Sequence, residues 1–459
     1  MTKSRASIAS RLLAFLTKRR IEYCVVGDVR RLPAEIDSDI DIVIDPRSLR
    51  HLPADLLDFC VGNELQIVQC LRHEVDAYYF VVSWPDEHGR SNFLQLDFCG
   101  DYCRDGACFL TAKELLGGRI EALASNGTPK GFYVPSPPRA FVYYLLKRID
   151  KQSLDGRHGA FLNAEWRRNP LAAFGEVQRF WTVRHARLIG DAAETGCWSA
   201  VRAELPELRR ALRTRVRRPY HSRLSELARK ARRVLQPTGV FVAFVGPDGS
   251  GKSTLAEVVM QDLAAAFRRT GSFHFRPNLG RHPSADQVVT DPHGEIPRGP
   301  AGSVAKAAYY LCDYVFGYLW QVRPQLVRST LLVFDRYSVD FEVDPKRFRY
   351  AGPGSIPRLV RRLAPRPDLV ILLDAPADVL WARKPELPRD EFSRIAELYR
   401  RVVSSLPNGH VIDATQPIHE VAASVEAMVL AHMAARTRQR MGARHGDILP
   451  RAVAGASVR

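Results

Sequence analysis

Residues 240–254 read Val-Phe-Val-Ala-Phe-Val-Gly-Pro-Asp-Gly-Ser-Gly-Lys-Ser-Thr, and this stretch predicts the fold of the C-terminal half of the chain. Val240–Val245 is a continuous apolar run, as expected of a strand that is buried on both faces. Gly246–Thr254 has the spacing GxxxxGK[ST], and the amphipathic stretch Leu255–Phe267 follows it as a predicted helix. A strand, a glycine-rich turn and a helix in this order indicate a loop that binds phosphate.

The residues of this loop are assigned by the chemistry that nucleotide phosphates require. Glycines let successive backbone N–H groups converge on phosphate oxygens, and the helix N-terminus favours an anion. We expect Lys252 to reach the β- and γ-phosphates of ATP and the Ser253 hydroxyl to bind Mg²⁺. The other nucleotide-binding residues of the motif are Gly246, Gly249, Gly251 and Thr254. A glycine turn that arose by chance is the alternative, but it does not account for the flanking strand and helix.

Three further predicted strands follow in this region: Leu331–Phe334, Leu369–Leu373 and His410–Ile412. Helical stretches separate them, and this alternation predicts a parallel sheet with helices on both faces, an α/β/α fold. Asp335 directly follows the first of these strands, where a carboxylate can hold Mg²⁺-bound water or the nucleophile. The neighbouring Arg336 can neutralise a phosphate group.

Four segments within residues 240–434 resemble thymidylate kinase and its relatives. They are FVGPDGSGKST at 244–254, FDRYSVDF at 334–341, PDLVILLDAPADVLWARK at 367–384 and VIDATQPIHEV at 411–421. The resemblance implies an Mg²⁺-dependent phosphotransferase that uses ATP. It identifies Asp335 and Arg336 as the Asp-Arg pair of the family and places Asp248 in contact with the acceptor. The catalytic residues that it implies are Lys252, Asp335, Arg336, Arg383 and Asp248.

The resemblance also implies two elements that surround the nucleotide. A basic lid closes over the phosphates in this family, and here it would contain Arg383, Lys384 and Arg389. Lys384 is therefore expected to bind the cofactor. Thr415–Pro417 corresponds to the segment that borders adenine.

The acceptor side of the region departs from the pattern of the family. Arg276 takes the place of the first acceptor arginine, whereas the second place holds Asp313-Tyr314. The basic run Asp344–Tyr350 follows the Asp-Arg pair and is predicted to contact the acceptor, with a solvated surface as its alternative. We therefore expect the acceptor to be a nucleotide, a sugar or a glycan precursor, rather than thymidylate in particular.

Three acidic residues near the N-terminus predict a second metal site. Asp39 and Asp41 are two residues apart in an extended segment, so their side chains project to the same face. Asp97, in the predicted strand Phe93–Phe98, adds a carboxylate from a neighbouring strand. Such oxygen ligands suit Mg²⁺, and two ions can activate an attacking oxygen and stabilise a leaving pyrophosphate. An edge strand with exposed acids is the alternative.

This arrangement resembles the nucleotidyltransferase superfamily that includes DNA polymerase beta, whose pattern is a glycine, a DxD pair and a later acid. The resemblance implies an α+β fold for residues 1–125 and a second, nucleotidyltransferase activity. Gly27 would approach the nucleotide phosphates, and Asp28 departs from the Gly or Ser of the family, so its charge opposes triphosphate binding. Over both regions the predicted metal ligands are Ser253, Asp335, Asp39, Asp41 and Asp97.

The predicted organisation is multidomain α/β: a nucleotidyltransferase-like domain (1–125), a helical middle region (126–236), the phosphate-loop domain (237–434) and a disordered tail (435–459). Helical periodicity at Ala140–Asp150, Ala172–Ile189 and Trp198–Arg218 indicates the middle region. Its first helix carries basic residues that either reach a triphosphate or face solvent: Lys147, Arg148 and Lys151. The pair Arg179 and His185 is spaced as in a ribonuclease signature, which is a weak pattern when it occurs once.

Composition and charge narrow the classes of protein. The 459 residues include 46% hydrophobic and 25% charged residues, which excludes a collagen, a wholly disordered chain and a polytopic membrane protein. The net charge is +17, with 12 basic and 3 acidic residues between Arg202 and Arg233. Such a segment binds an anionic membrane surface or nucleic acid, or is simply solvated. The 8 cysteines lack metal-ligand spacing and indicate reduced thiols, so we expect a cytoplasmic protein.

An alternative function belongs to a different class. The N-terminal site would modify a macromolecule or nucleic acid, and the phosphate loop would sense ATP for regulation. Salt-sensitive binding to nucleic acid favours this alternative. Turnover of ATP with a small acceptor favours the phosphotransferase.

Overall fold

The computed structural model describes residues 3–442 except 75, 88, 105–106, 125, 216–219, 280–295, 297 and 386–387, with the backbone alone at 220–225. The described residues form two compact units. The first consists of the described residues within Met1–Asp86, Asn92–Ala231 and Ala434–Arg459, and the second of those within Glu87–Ser91 and Arg232–Met433. The predicted tail is described only to residue 442, and its first residues, up to Arg440, are helical instead of disordered.

Strands and helices are numbered in chain order. The strands are β1 Tyr23–Val26, β2 Ile40–Ile44, β3 Gln66–Glu74, β4 Ala77–Pro85, β5 Ser91–Cys99, β6 Tyr102–Arg104, β7 Ala107–Leu110, β8 Ile120–Leu123, β9 Pro129–Val134, β10 Val240–Val245, β11 Arg269–His274, β12 Thr330–Asp335, β13 Leu369–Asp374 and β14 Gly409–Asp413. The helices are α1 Arg5–Lys18, α2 Pro46–Leu49, α3 Leu52–Gly62, α4 Ala112–Leu116, α5 Pro137–Lys151, α6 Gly156–Arg168, α7 Pro170–Gln178, α8 Val183–Thr195, α9 Ser199–Ala203, α10 Leu205–Arg215, α11 Tyr220–Leu235, α12 Lys252–Asp262, α13 Pro300–Gly317, α14 Arg323–Val327, α15 Ser338–Val343, α16 Ser355–Leu363, α17 Ala377–Arg383, α18 Arg389–Ser404 and α19 Ile418–Arg440.

The first unit contains a five-stranded sheet in the order β1-β2-β5-β4-β3, in which β2 pairs antiparallel with β1 and parallel with β5. Because side chains alternate along a strand, β2 has two different faces. Ile40, Ile42 and Ile44 pack in one core cluster with apolar residues of α1 and α3. Val43 packs in a second cluster with α5–α10, so Asp41, on the same face as Val43, points toward these helices.

The helices α5–α10 share that second core cluster with the sheet. Val26 and Val43 of the sheet pack in it together with α5 residues such as Phe141 and Leu145. Strand β9 also lies within the predicted middle region and pairs with β8. The helical part of the chain therefore begins at Pro137 rather than at residue 126, and it shares a hydrophobic core with the strands before it.

The second unit contains a parallel sheet in the order β11-β12-β10-β13-β14. All six residues of β10 are buried, in agreement with the apolar run that predicts this strand. Alternate residues of β10 enter the two core clusters, Phe241 and Ala243 with α13–α16 and Val245 with α18, so both groups of helices cover the same face of the sheet. Helix α12 also packs against β10 and β12. Strand β11 was missed by the sequence analysis. The helix predicted over Leu255–Phe267 spans Lys252–Asp262 and ends before a short 3-10 helix, Ala264–Ala266.

Among the described residues, no helix combines the length and the apolar character that crossing a bilayer requires. All eight cysteines are free thiols.

Candidate functional site

The glycine-rich loop joins the carboxyl end of β10 to the first turn of α12, at the edge where parallel sheets usually bind ligands. Two glycines are required by geometry. Gly246 has φ +141° and Gly249 has φ +78°, and a Cβ would lie 3.1 Å from the Leu373 carbonyl oxygen or 3.2 Å from the Leu380 carbonyl oxygen, respectively. Gly251 caps the N-terminus of α12. The loop can thus approach a phosphate closely, and it fits the nucleotide that the motif predicts.

Lys252 is buried and is folded back onto its own loop. Its Nζ donates to the Pro247 carbonyl oxygen at 2.7 Å and to the Ser250 hydroxyl at 3.2 Å. Burial, and then the nearby charge of Arg336, lower the pKa of Lys252 from 10.5 to about 8. A phosphate that enters the loop would give this ammonium the counter-charge that it lacks.

This lowered pKa predicts a pH dependence of ATP binding. The phosphates favour protonated Lys252, so binding takes up a proton once the pH exceeds about 8. Affinity should change little near pH 7, be about halved at pH 8 and fall by up to about tenfold per pH unit above it. Titration of ATP by calorimetry from pH 7 to 9.5 measures this slope. In Lys252→Arg, which stays charged, the slope should vanish; an unchanged slope in this variant would exclude Lys252 as its source.

Ser253 and Asp335 form a pair beside the loop. The Ser253 hydroxyl donates to Asp335 Oδ2 at 2.5 Å, while Asp335 Oδ1 is buried and has no hydrogen-bond partner. Burial raises the pKa of Asp335, but His274, Lys252 and Ser253 outweigh it and lower the pKa to about 2. A hydroxyl and an ionised carboxylate with an unused oxygen are ligands that Mg²⁺ prefers, so this pair fits the metal. Thr254 is exposed on the same helical turn.

Arg336 and Asp248 lie together on the other side of the loop. Arg336 is buried and adopts φ +73°, an uncommon conformation for a residue with a side chain. One arm of its guanidinium donates to Asp340 Oδ1 at 3.0 Å, and the other donates to Asp248. Arg347 donates to the second oxygen of Asp248. The two arginines overcome the effect of burial and hold the pKa of Asp248 well below its usual range.

A second layer of contacts holds this cluster. Asp340 accepts hydrogen bonds from the Tyr399 hydroxyl at 2.8 Å and from the Tyr337 backbone N–H at 2.9 Å. Sequence reasoning gave no role to Asp340, although it lies in the segment FDRYSVDF, and it did not single out Tyr399, which lies far from that segment in the sequence. It singled out the basic run 344–350 but could not select Arg347 within it. The charge of Asp248 was the only signal in the sequence that pointed to a partner such as Arg347, because a buried carboxylate requires a nearby cation.

Arg276 faces a different environment from the one that the resemblance implies. It donates to Asp313 Oδ2 at 2.8 Å, and its guanidinium carbon lies 4.4 Å from the centre of the Tyr310 ring. Asp313 also accepts from the backbone N–H groups of Asn278 and Leu279. Asp313 stands where the family has its second acceptor arginine. It thus neutralises Arg276, which takes the place of the first. Arg276 organises the chain after β11 and has no charge left uncompensated.

The predicted lid residues are divided among three places. Lys384 lines a small cavity together with Asp248, Arg336 and Arg347. Arg383 directs its guanidinium to the Ala414 carbonyl oxygen, at 3.4 and 3.5 Å, just before the segment predicted to border adenine. Arg389 forms an exposed ion pair with Asp378. The structure therefore brings Lys384 to the cluster around Asp248, and it leaves Arg389 at the surface.

The three acids of the predicted N-terminal metal site lie together in the first unit. Asp41 and Asp97 are direct partners in the parallel pairing of β2 with β5. One carboxylate oxygen from each of them and one from Asp39 lie within 4.8 Å of one another. Gly27 adjoins the site, because a Cβ there would be 3.7 Å from Asp41 Oδ2. This oxygen-only set fits divalent ions such as Mg²⁺.

Charged residues flank this acidic site. Lys147 of α5 donates to Asp41 Oδ2 at 2.5 Å, and this partner outweighs burial and raises the pKa of Lys147. Asp28 is neutralised by Arg30, at 2.6 Å, so its charge opposes a triphosphate less than the sequence predicts. Lys151 is exposed at the surface, but partial desolvation of its ammonium and then the charge of Lys147 lower its pKa. A cavity of about 260 Å³ opens beside Gly27 and Arg30.

Arginines of the basic segment 202–233 have partners within the protein. Asp150, which is buried, pairs with Arg213 at 2.8 Å and lies 3.6 Å from Arg209, while Arg104 approaches it from β6. Arg229 pairs with Glu226. The described part of this segment thus contributes ion pairs to the fold. Residues 216–219 lie outside the described residues.

Comparisons with known proteins give partial matches. The thymidylate kinase of Xanthomonas campestris pv. campestris (strain B100) is 29% identical over 225 residues, which is 46% of this chain and 92% of that protein. The thymidylate kinase of Xanthomonas euvesicatoria pv. vesicatoria (strain 85-10) is 28% identical over 214 residues, 44% of this chain and 88% of that protein. The thymidylate kinase of Pseudomonas fluorescens is 27% identical over 216 residues, which is 42% of this chain and 95% of that protein. No protein-family profile matches the chain. The chain is thus similar to thymidylate kinases over less than half of its length.

Proposed function

We propose that the second unit is a Mg²⁺-dependent ATP phosphotransferase acting on a nucleotide, a sugar or a glycan precursor. The similarity to thymidylate kinases supports a kinase that binds nucleotides. The observation that carries the proposal is the arrangement around one loop. Lys252 and the Ser253–Asp335 pair serve the phosphate donor, and Asp248 with its two arginines lies beside them.

Each residue has a role that follows from its environment. The loop N–H groups and Lys252 hold the donor phosphates, while Ser253 and Asp335 would hold Mg²⁺, which would supply charge neutralisation. Arg336 is fixed by Asp340 through one arm of its guanidinium, and the other arm, which pairs with Asp248, lies beside the loop where it can bind the transferred phosphoryl group. The low pKa of Asp248 makes it a poor proton acceptor, so it positions the acceptor through hydrogen bonds rather than acting as a general base. We assign Lys384 to the transferred phosphate as well.

The acceptor site is rebuilt relative to the pattern of the family. Arg276 is neutralised by Asp313, so it cannot supply a full charge to an acceptor phosphate. Arg347 supplies a guanidinium beside Asp248 instead, and it shares that carboxylate with Arg336 rather than having it to itself. We propose that Arg347 contacts an anionic or hydroxyl-rich acceptor, among which nucleoside monophosphates are the first class to test.

Arg347→Ala is the variant that tests this contact. Loss of one charge-assisted hydrogen bond should raise the KM of the acceptor by roughly 10- to 100-fold. The affinity for ATP should change little, because Lys252 and the loop remain. Lys346→Ala is the matched control, since Lys346 belongs to the same run but forms an exposed ion pair with Glu391. Equal acceptor KM values for the wild type and Arg347→Ala would remove Arg347 from the acceptor site.

The function itself is tested by measuring ADP formation with Mg²⁺, ATP and a panel of acceptors. The panel contains the nucleoside monophosphates, with dTMP among them, free sugars and sugar phosphates. We expect one acceptor class to stimulate ADP formation well above the rate with water alone. If no acceptor stimulates turnover although ATP binds, the alternative of an ATP sensor gains support.

A second candidate function concerns the N-terminal acids. The close approach of Asp39, Asp41 and Asp97 favours a nucleotidyl transfer, in which an acceptor oxygen bonds to the α-phosphorus of an NTP and pyrophosphate leaves. The nearby cations Lys147 and Lys151 would bind the phosphates. Pyrophosphate release that is lost in Asp39→Asn/Asp41→Asn would support this activity. The same assay with protein or nucleic acid as the acceptor addresses the regulatory alternative.

A further inference from the structure

A histidine and two glutamates converge in the helical part of the first unit, as a group distinct from the three acids of the predicted metal site. His185 lies in the first turn of α8, Glu204 lies between α9 and α10, and Glu207 lies in the first turn of α10. His185 Nε2 is 3.5 Å from Glu207 Oε1 and 3.9 Å from Glu204 Oε2. One donor atom from each residue lies within 4.8 Å of the others.

Two of these facing atoms are buried and make no hydrogen bond. His185 is 6% exposed, and neither its Nε2 nor Glu204 Oε2 has a hydrogen-bond partner. Buried polar atoms are nearly always satisfied, by protein, by water or by an ion. Two such atoms that point at each other across 3.9 Å are too far apart for a hydrogen bond between them.

The other atoms of these side chains hold them in place. His185 Nδ1 lies 3.3 Å from the hydroxyl of Thr182, which orients the ring and suits an Nε2 lone pair directed at the carboxylates. Arg184 donates to Glu204 Oε1 at 3.1 Å and leaves Oε2 for another partner. Protein ligands of metals are commonly oriented in this way, through the atom that does not bind the metal.

We propose that His185, Glu204 and Glu207 form a site for a divalent transition metal with the ligand preferences of Zn²⁺. Imidazole nitrogen and carboxylate oxygen each bind Zn²⁺ at about 2.0–2.2 Å, so tetrahedral ligands lie about 3.4 Å apart. The separation of 3.5 Å between His185 Nε2 and Glu207 Oε1 agrees with this value. A modest movement of Glu204 would shorten the distance of 3.9 Å between its Oε2 and His185 Nε2 to the same value. Water takes the fourth position. The ion ties α8 to the start of α10.

The competing explanation is an imidazolium at His185 that forms ion pairs with both glutamates. The two explanations can be distinguished by measurement, because ion pairs of an imidazolium need no added ion, whereas the metal site requires one. The ribonuclease interpretation of Arg179 and His185 has less support. Arg179 pairs with Glu114 and Glu176 and contributes no group to this cluster.

The test measures Zn²⁺ retention and thermal stability of the full chain. An Asp39→Asn/Asp41→Asn background removes the predicted acidic metal site, and EDTA followed by desalting removes bound ions. Zn²⁺ is then added in excess, and a second desalting step removes the unbound ion. In this background we expect about one equivalent of retained Zn²⁺ per chain, a higher Tm with Zn²⁺, and Co²⁺ absorption bands typical of nitrogen and oxygen ligands. Glu207→Gln should lose all three effects; Glu207 is half exposed, so this variant should still fold.

Glu194→Gln is the matched control, since Glu194 is an exposed glutamate of α8. It should retain Zn²⁺ like its parent. Equal Zn²⁺ retention by the background and by Glu207→Gln would overturn the proposal. A Tm that falls in Glu207→Gln to the same extent with and without Zn²⁺ would also overturn it, in favour of the imidazolium.

Discussion

Lys252→Ala should lower kcat/KM for phosphate transfer by about 10³-fold or more, as is found when a preorganised cation or donor is removed from a transferring phosphoryl group. The structure gives the reason. Lys252 is held inside the loop by the Pro247 carbonyl oxygen and by Ser250, and its charge has no full counter-ion there. The phosphates of ATP supply that counter-ion, and in the transition state negative charge shifts toward the leaving β-phosphate, which Lys252 is expected to reach.

Steady-state kinetics with the identified acceptor measure this loss. Lys230→Ala is the control, because Lys230 is a largely exposed lysine whose nearest acid, Glu226, already pairs with Arg229. It should keep wild-type kinetics. If Lys252→Ala remained within tenfold of the wild type, Lys252 would not act on the transferred group, and the loop would have a different role.

Arg336→Ala should give the largest loss of stability among the site variants. The side chain of Arg336 is 6% exposed and that of Asp340 is 0% exposed, so removing the guanidinium leaves a buried carboxylate without its cation. Breaking such a pair costs about 3–5 kcal/mol. At about 2–4 °C per kcal/mol for a unit of this size, the Tm of the second unit should fall by roughly 6–20 °C. Calorimetry of the wild type and the variant measures the shift.

A double-mutant cycle identifies the source of this loss. Asp340→Asn removes the charge that Arg336→Ala would leave unpaired, so the double variant should lose less stability than the two single variants together. Arg401→Ala is the surface control, because its pair with Glu397 is exposed and should contribute less than about 1 kcal/mol. Strict additivity of Arg336→Ala and Asp340→Asn would mean that the buried pair does not govern the stability of this site.

The phosphate loop could be predicted from sequence because its geometry is local. Backbone N–H groups, Lys252 and Ser253 all lie within nine residues, and the apolar run before them makes β10 recognisable. Strand β11 could not be predicted in the same way. Its sequence, Arg-Thr-Gly-Ser-Phe-His, contains a glycine and no apolar run, since it lies at the edge of the sheet and buries little.

The surroundings of Asp248 could be predicted only in part, because they depend on contacts between distant segments. Arg347 reaches Asp248 from 99 residues away, and Tyr399 reaches Asp340 across 59 residues. No short sequence pattern predicts these contacts, because the residues that make them are far apart in the sequence. The neutralisation of Arg276 by Asp313 also follows from tertiary packing, although the sequence did place an acid where the resemblance calls for an arginine.

The N-terminal acids illustrate what a short pattern can predict. The spacing of Asp39 and Asp41 predicts a shared face, and the alternation of isoleucines in β2 explains why that face is the one turned toward α5. The partnership of Asp41 with Asp97 depends on the register of β2 and β5, which sequence alone did not give. The ion pair with Lys147 requires α5 to pack on this face, so it also emerges only in the folded protein.

The measurement that tests the central claim most directly follows two labels in parallel, with ATP labelled at the γ-phosphate or at the α-phosphate. Purified protein is incubated with Mg²⁺ and the acceptor panel, beside Lys252→Ala and Asp39→Asn/Asp41→Asn. We expect the γ-label to reach one discrete acceptor in the wild type and in Asp39→Asn/Asp41→Asn but not in Lys252→Ala. The absence of γ-label transfer, or transfer that persists in Lys252→Ala, would contradict a phosphotransferase built on the loop at residues 246–254.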